Sequence, residues 1–322
     1  MRAIQVSSLE GPHKLTVVDV PEPTPGTNDV LIEVHSVGVS FPDLLLTKGQ
    51  YQLKPELPFI SGADIAGVVV SGPAGFTPGQ RVAGVSSIGG AADRTVLDAS
   101  SVFPLPDELG FDEGAAMPMN YLTAHFALTL RAGLTSGEIV LVHGAAGGVG
   151  TASIQVAKAL GAQVIAVTST AEKADVALAA GADHAVMLED FMAGVRGLTM
   201  GRGVDVVIDP VGGDIFTDSL RSLAVGGRHI VIGFAAGQGI PEVKVNRLLF
   251  NNIDIRGAAW GAYLMSNPSY VQEQWAELMP LMKTGAIKPP IGKVYQFEEY
   301  AQALIDMDDR KTLGKSVVRV RP

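Results

Sequence analysis

Short apolar runs alternate with helical stretches between residues 139 and 232, and this alternation narrows the possible folds more than any other feature of the chain. The apolar runs cover 139–143, 164–167, 184–187, 204–208 and 228–232, and helix-forming stretches between them cover 150–160, 171–180 and 216–223. Strands that are apolar along their whole length, separated by helices, predict a parallel sheet covered on both faces. A late strand at 253–257 and a helix at 271–284 are expected to complete this α/β, doubly wound domain.

The start of the chain has another texture. Up to about residue 115 it reads as β-rich. Residues 30–39 (VLIEVHSVGV) alternate apolar and polar side chains, as a half-buried strand does. Pro21, Pro23, Pro25 and Gly26 punctuate the approach to it, and 65–70 and 81–85 are further short strands bounded by Gly and Pro. Short strands so spaced predict a sandwich or small barrel. The last segment, from Lys293 onward, reads as one helix and one strand returning to this first domain. The expected domains are therefore 1–118 with 286–322, and 119–285.

The turn after the first parallel strand carries the strongest chemical signal. It reads Val140-Leu-Val-His-Gly-Ala-Ala-Gly-Gly-Val-Gly150 and runs into a helix. Strand, glycine turn and helix is the context in which such a turn binds a dinucleotide. Gly147 lets the backbone approach a pyrophosphate, Gly150 lets the helix pack on the sheet, and the helix N-terminus offers free N–H groups to the phosphates. The spacing departs from G-x-G-x-x-G, since Ala145 stands in place of the first Gly. About 20 residues on, NAD-binding units place an acidic residue on the ribose diol. Here the strand ends Val167-Thr-Ser-Thr170, with Lys173 shortly after and Glu172 already inside the helix. Hydroxyls and a cation without a strand-tip carboxylate suit a 2′-phosphate, hence NADPH.

Composition excludes several rival classes. The formal net charge is −9 and no basic run is present, which argues against nucleic acid as a partner. No cysteine occurs, so disulfides, thiolate catalysis and sulfur-ligated metal sites are excluded. The absence of cysteine is compatible with the cytoplasm. The N-terminal stretch lacks the apolar core of a signal peptide, and no apolar run reaches the roughly 18 residues of a membrane span.

These residues together resemble a known family. Gly38-Val-Ser-Phe-Pro-Asp43, Gly49-Gln-Tyr51, Leu57-Pro-Phe59, Gly62-Ala-Asp64, Gly79-Gln-Arg-Val82, His143 to Gly150, Asp209-Pro-Val-Gly-Gly213, Gly226-Gly-Arg228, Gly233-Phe234 and Arg310-Lys-Thr-Leu-Gly-Lys315 occur in order. The chain resembles, over essentially its full length, the zinc-independent quinone oxidoreductases of the medium-chain dehydrogenase/reductase superfamily, which include zeta-crystallin. The resemblance implies a GroES-like catalytic domain built from both chain ends, around a Rossmann domain. It also implies an NADPH-dependent hydride transfer to a small quinone or enone, and a homodimer or homotetramer. By position, Gly147, Gly148 and Val149 would meet the pyrophosphate, and Ser169, Lys173 and Arg310 the 2′-phosphate. Thr123 and Asn120 would lie near the nicotinamide, and Phe234 and Ala235 along the cofactor. Ser40, Tyr51 and Trp260 would line the substrate side, with Ser40, Tyr51 and Asn120 as candidate donors to a developing oxyanion. The chain departs from many relatives in having Ser40 in place of Asn, and Leu45 and Leu188 in place of Tyr.

Zinc alcohol dehydrogenases share the superfamily, and their catalytic zinc takes about three protein ligands. The corresponding positions here are Ser40, Ala63, Asp64 and Met119, so no metal is expected. The six histidines show no ligand spacing, and only His125 is kept as a remote active-site candidate. Two other functions suit the same fold: an enone or enoyl-thioester reductase, and an NADPH-binding structural protein with little turnover.

Overall fold

The computed structural model describes residues 1–321, which form two compact units: Met1–Asn120 with the segment from Pro268 onward, and Tyr121–Asn267. The boundary falls inside the helix Pro118–Phe126. The second boundary lies earlier in the chain than the sequence suggests. The helix Tyr270–Lys283, expected with the parallel sheet, belongs to the first unit. Its Trp275 stacks on Phe103 at 4.6 Å and donates Nε1–H to the Pro104 carbonyl, and Gln272 donates to Ser100 and Val102. An amphipathic helix is placed by whichever apolar surface it covers, and its own sequence does not name that surface.

The second unit is a six-stranded parallel sheet. The spatial order is His184–Met187, Gln163–Thr168, Ile139–Val142, Val204–Asp209, Leu223–Val231 and Asp254–Gly257. The chain thus starts in the middle of the sheet and winds outward both ways, which leaves a crevice at the carboxyl ends of the central strands. Val140, Leu141 and Val142 in the first strand, and Val206, Val207 and Ile208 in its neighbour, are fully buried, as expected of strands covered on both faces. The helix Phe191–Leu198, which the apolar runs alone do not reveal, buries Phe191 and Val195 against this sheet.

In the first unit the long strand Asp29–Gly38 organises a seven-stranded sheet. Its alternating side chains Val30, Ile32 and Val34 enter a core with Ile65, Val82 and Tyr295. Along one edge it pairs with Asp64–Ser71. On the other it pairs with Arg94–Asp98 near its start and Lys315–Arg319 near its end. The C-terminal segment contributes two strands, Ile291–Gln296 and Lys315–Arg319, not the single one expected, with the helix Tyr300–Asp308 between them. A three-stranded sheet of Thr16–Asp19, Arg2–Val6 and Phe59–Ile60 completes the unit. Among the described residues no helix is long and apolar enough to cross a membrane.

Candidate functional site

In the parallel-sheet unit, the glycine turn follows the first strand directly. Gly144 has φ 57°, a left-handed conformation that glycine adopts without strain. The helix Gly148–Ala159 then starts from Gly147, which has no side chain to cap the free N–H groups. A β-carbon at Gly150 would stand 2.2 Å from the Gly144 carbonyl oxygen, so only glycine permits this close packing. A β-carbon at Gly147 would meet nothing nearer than that oxygen at 3.4 Å. Gly147, Gly148 and Val149 are all partly exposed. The turn is therefore a shallow backbone cradle of N–H donors, and it fits a pyrophosphate.

The next strand, Gln163–Thr168, delivers Ser169 and Thr170 to the same end of the sheet. Thr170 Oγ1 accepts from the Lys173 N–H and starts the helix Ala171–Ala179. Lys173 Nζ donates to Ser169 Oγ at 3.4 Å, and Ser169 is exposed. An ammonium and a hydroxyl held side by side at a strand tip without a carboxylate fit a phosphate group better than a ribose diol.

Two further loops at this end are tied together. Asp209 closes the strand Val204–Asp209, and its Oδ1 accepts from the Val211 and Gly212 N–H groups at 2.9 Å. The Ala235 and Ala236 N–H groups donate to the Pro210 and Val211 carbonyls. The Phe234 ring, 40% exposed, lies so close to Gly212 that a β-carbon there would be 2.9 Å from its Cδ1. Thr123 is buried in the helix Pro118–Phe126, and Trp260 is buried at the start of the helix Trp260–Ser266.

The first unit carries the other candidates. Ser40 precedes the helix Phe41–Thr47, and its N–H donates to the Asp43 carboxylate at 2.9 Å. The Ser40 hydroxyl donates to Asp64 Oδ2 at 2.7 Å. Lys315 Nζ donates to Ser40 Oγ at 2.6 Å and to the same Asp64 oxygen at 2.8 Å, while Asp64 Oδ1 accepts from the Met119 N–H. Strand register explains the meeting. Gly38 pairs with Asp64 on one side and with Val317 on the other, so the chain just beyond Gly38 runs between Asp64 and Lys315. Burial pushes the Asp43 carboxyl up to about 7, with Asp64 adding to the effect and the Ser40 N–H and Lys315 opposing it. Tyr51 packs beside Val6, Leu46 and Phe59, and burial, with Asp43 nearby, raises its phenol above the ordinary value. Asn120 is buried, whereas Arg310 is exposed with φ 59° just after the helix Tyr300–Asp308.

The sequence points to Ser40 but not to its partners: Asp64 stands out there only as a motif residue and a zinc-ligand position, and Asp43 and Lys315 only as letters of family motifs. No local pattern could have paired Ser40 with a lysine 275 residues away. Among the described residues no three His, Asp or Glu side chains converge as a metal site.

Residues 26–107 match the family described as alcohol dehydrogenase GroES-like domain, and residues 148–284 match that described as zinc-binding dehydrogenase. The quinone oxidoreductase-like protein 2 of Bos taurus is 36% identical over 326 residues, covering 99% of this chain and 93% of that protein. The quinone oxidoreductase of Sus scrofa is 34% identical, covering 99% and 97%. Among solved structures, a probable oxidoreductase from Mycobacterium abscessus is 43% identical with a TM-score of 0.91, covering 99% of this chain and 98% of that one. The quinone oxidoreductase from Thermus thermophilus, solved also as its complex with NADPH, is 36% identical with a TM-score of 0.88, covering 99% and 100%. Full-length similarity at this identity, with a GroES-like unit and a doubly wound sheet, makes this chain a member of the quinone oxidoreductase family of medium-chain dehydrogenases/reductases.

Proposed function

We propose that this protein reduces quinones and related conjugated carbonyl compounds with NADPH, without a metal ion. The observation that carries the reading is the buried Ser40–Asp64–Lys315 cluster. Ser40 and Asp64 stand at two of the positions that correspond to zinc ligands in the resemblance, and Lys315 brings a cation to them. The family membership and the NADPH-bound Thermus thermophilus relative support the cofactor. The Ser169–Lys173 pair supports NADPH over NADH.

When bound, NADPH supplies the hydride. The protein's part is to bind, orient and exclude water. The N–H groups of Gly147, Gly148 and Val149 would hold the pyrophosphate, and Ser169 and Lys173 the 2′-phosphate. Phe234, Ala235 and Thr123 would lie along the cofactor. On the substrate side Tyr51 would shape the pocket, and Ser40 would meet the acceptor oxygen as negative charge develops there. Quinones and enones delocalise that charge themselves, which removes the need for a Lewis acid.

Turnover of a panel of quinones, enones and enoyl thioesters with NADPH and with NADH tests the reading. Oxidation of simple alcohols with every quinone and enone untouched would overturn it. The proposal extends to a cytoplasmic homodimer. The strand Asp254–Gly257 lies at the edge of the parallel sheet, and Leu249 and Phe250 just before it are more than two-thirds exposed. A monomeric mass by light scattering would refute the dimer.

A further inference from the structure

A serine hydroxyl has one proton to give and two lone pairs to receive with. An ammonium can only donate, so Ser40 must accept from Lys315, and its own proton is directed to the Asp64 carboxylate. Asp64 in turn is committed at both oxygens, to Lys315 and Ser40 on one and to the Met119 N–H on the other. Ser40, Asp64 and Lys315 are 2%, 0% and 3% exposed, so water does not screen the ammonium. Stability gives little reason for this arrangement, since desolvation offsets most of the attraction within a buried ion pair.

We infer that Lys315 is a positioning residue for the reaction proposed above: its ammonium holds the Ser40 oxygen in place and polarises the hydroxyl for donation to the acceptor oxygen. The inference rests on that reading of the function. In the resting arrangement the Ser40 proton points to Asp64. When negative charge grows on an acceptor oxygen, the hydroxyl turns to it, exchanging one charged acceptor for another. Lys315 keeps its bond to Ser40 Oγ and its ion pair with Asp64 throughout. The positive charge thus stays fixed and buried beside the hydroxyl, and it costs no reorganisation when the charge develops. Asp64 prevents the ammonium from turning away, and Asp43 fixes the Ser40 backbone through its N–H. The charged and titratable groups facing Lys315 are therefore Asp64 and, more remotely, Asp43.

The test compares Lys315→Met, Ser40→Ala and the double variant, with p-benzoquinone and NADPH as probes. It reads kcat and KM, NADPH affinity by fluorescence titration, and the thermal midpoint. Lys315→Met should lower kcat about a hundredfold, the size of losing an aimed oxyanion donor. NADPH affinity should be unchanged. In the Ser40→Ala background the lysine substitution should cost little more, because its effect passes through Ser40. Full kcat in Lys315→Met, or losses that multiply in the double variant, would overturn the inference. Lys315→Met alone leaves Asp64 without its counter-charge and risks misfolding. The paired variant Asp64→Asn with Lys315→Met removes both charges, and it should fold with the same loss of kcat. Native turnover in that pair also overturns the inference. A wild type that turns over no quinone or enone refutes the proposed function together with this role, whereas an active wild type with an unaffected Lys315→Met refutes this role alone.

Discussion

His229 donates Nε2–H to Asp209 Oδ2 at 3.1 Å inside the parallel-sheet unit, with both side chains almost fully buried. The same carboxylate holds the Val211 and Gly212 N–H groups with its other oxygen. A buried hydrogen-bonded pair therefore fixes the loop on which Phe234 rests. Beside it, Ser219 donates its hydroxyl to the Ile215 carbonyl, so His143 must donate Nε2–H to Ser219 Oγ at 2.8 Å. That leaves His143 neutral, with Nδ1 bare.

His143 predicts acid sensitivity. Burial depresses His143 from 6.5 to about 4, and its His229 neighbour works in the same direction. Below about pH 6.5 the unfolded chain takes up a proton that the folded chain refuses, so stability falls as pH drops from about 6.5 towards 4. The depression corresponds to about 3 kcal/mol. Burial alone would raise Asp209, but the His229 bond and the neighbouring imidazoles outweigh it and hold the carboxyl below its ordinary range, which adds a further loss at lower pH. Urea denaturation between pH 7 and 4 should show the decline, and His143→Gln should flatten its upper part. An unchanged slope in that variant would refute the assignment.

The cofactor preference rests on Lys173 and Ser169. A charge-assisted phosphate contact contributes about 1.5–3 kcal/mol. Lys173→Ala should therefore weaken NADPH by roughly tenfold to a hundredfold and leave NADH nearly unchanged. Calorimetric titration of both cofactors measures this. Equal wild-type affinity for NADH and NADPH would contradict it.

Gly147 and Gly150 should fail differently. Gly150→Ala forces a methyl to within 2.2 Å of a backbone oxygen and should cost about 1–3 kcal/mol or more in stability. Gly147→Ala meets only a 3.4 Å contact and has ordinary φ, so the fold should survive while the methyl fills the phosphate cradle. Melting curves with and without NADPH separate the two: the first variant melts early, whereas the second melts normally and loses stabilisation by the cofactor.

Activity should be indifferent to chelators. The Asp64 carboxylate is already neutralised by Lys315, so a dication there would have to displace a buried ammonium. Elemental analysis of the purified protein should find no stoichiometric zinc. Loss of turnover on chelation, restored by zinc, would refute the metal-free mechanism.

The doubly wound unit was legible from the residues because its signals are local. A βαβ unit spans roughly 30 residues, and each strand, glycine turn and helix start is written within that window. Thus 184–187 and 204–208 appear as His184–Met187 and Val204–Asp209, and the turn before Gly148 lies where the glycines put it. The absence of a carboxylate at Ser169 and the empty set of zinc ligands are likewise facts of the sequence itself. Tertiary structure decided what local pattern does not encode. The helix Tyr270–Lys283 carries an apolar face that suits either unit, and only the Phe103 ring and the Pro104 carbonyl assign it. Ser40 is a plain serine until antiparallel register sets Asp64 on one side of it and Lys315, from the far end of the chain, on the other. Register is settled by which apolar faces must be buried across the whole sheet, so the charge that surrounds Ser40 exists only once the strands have paired.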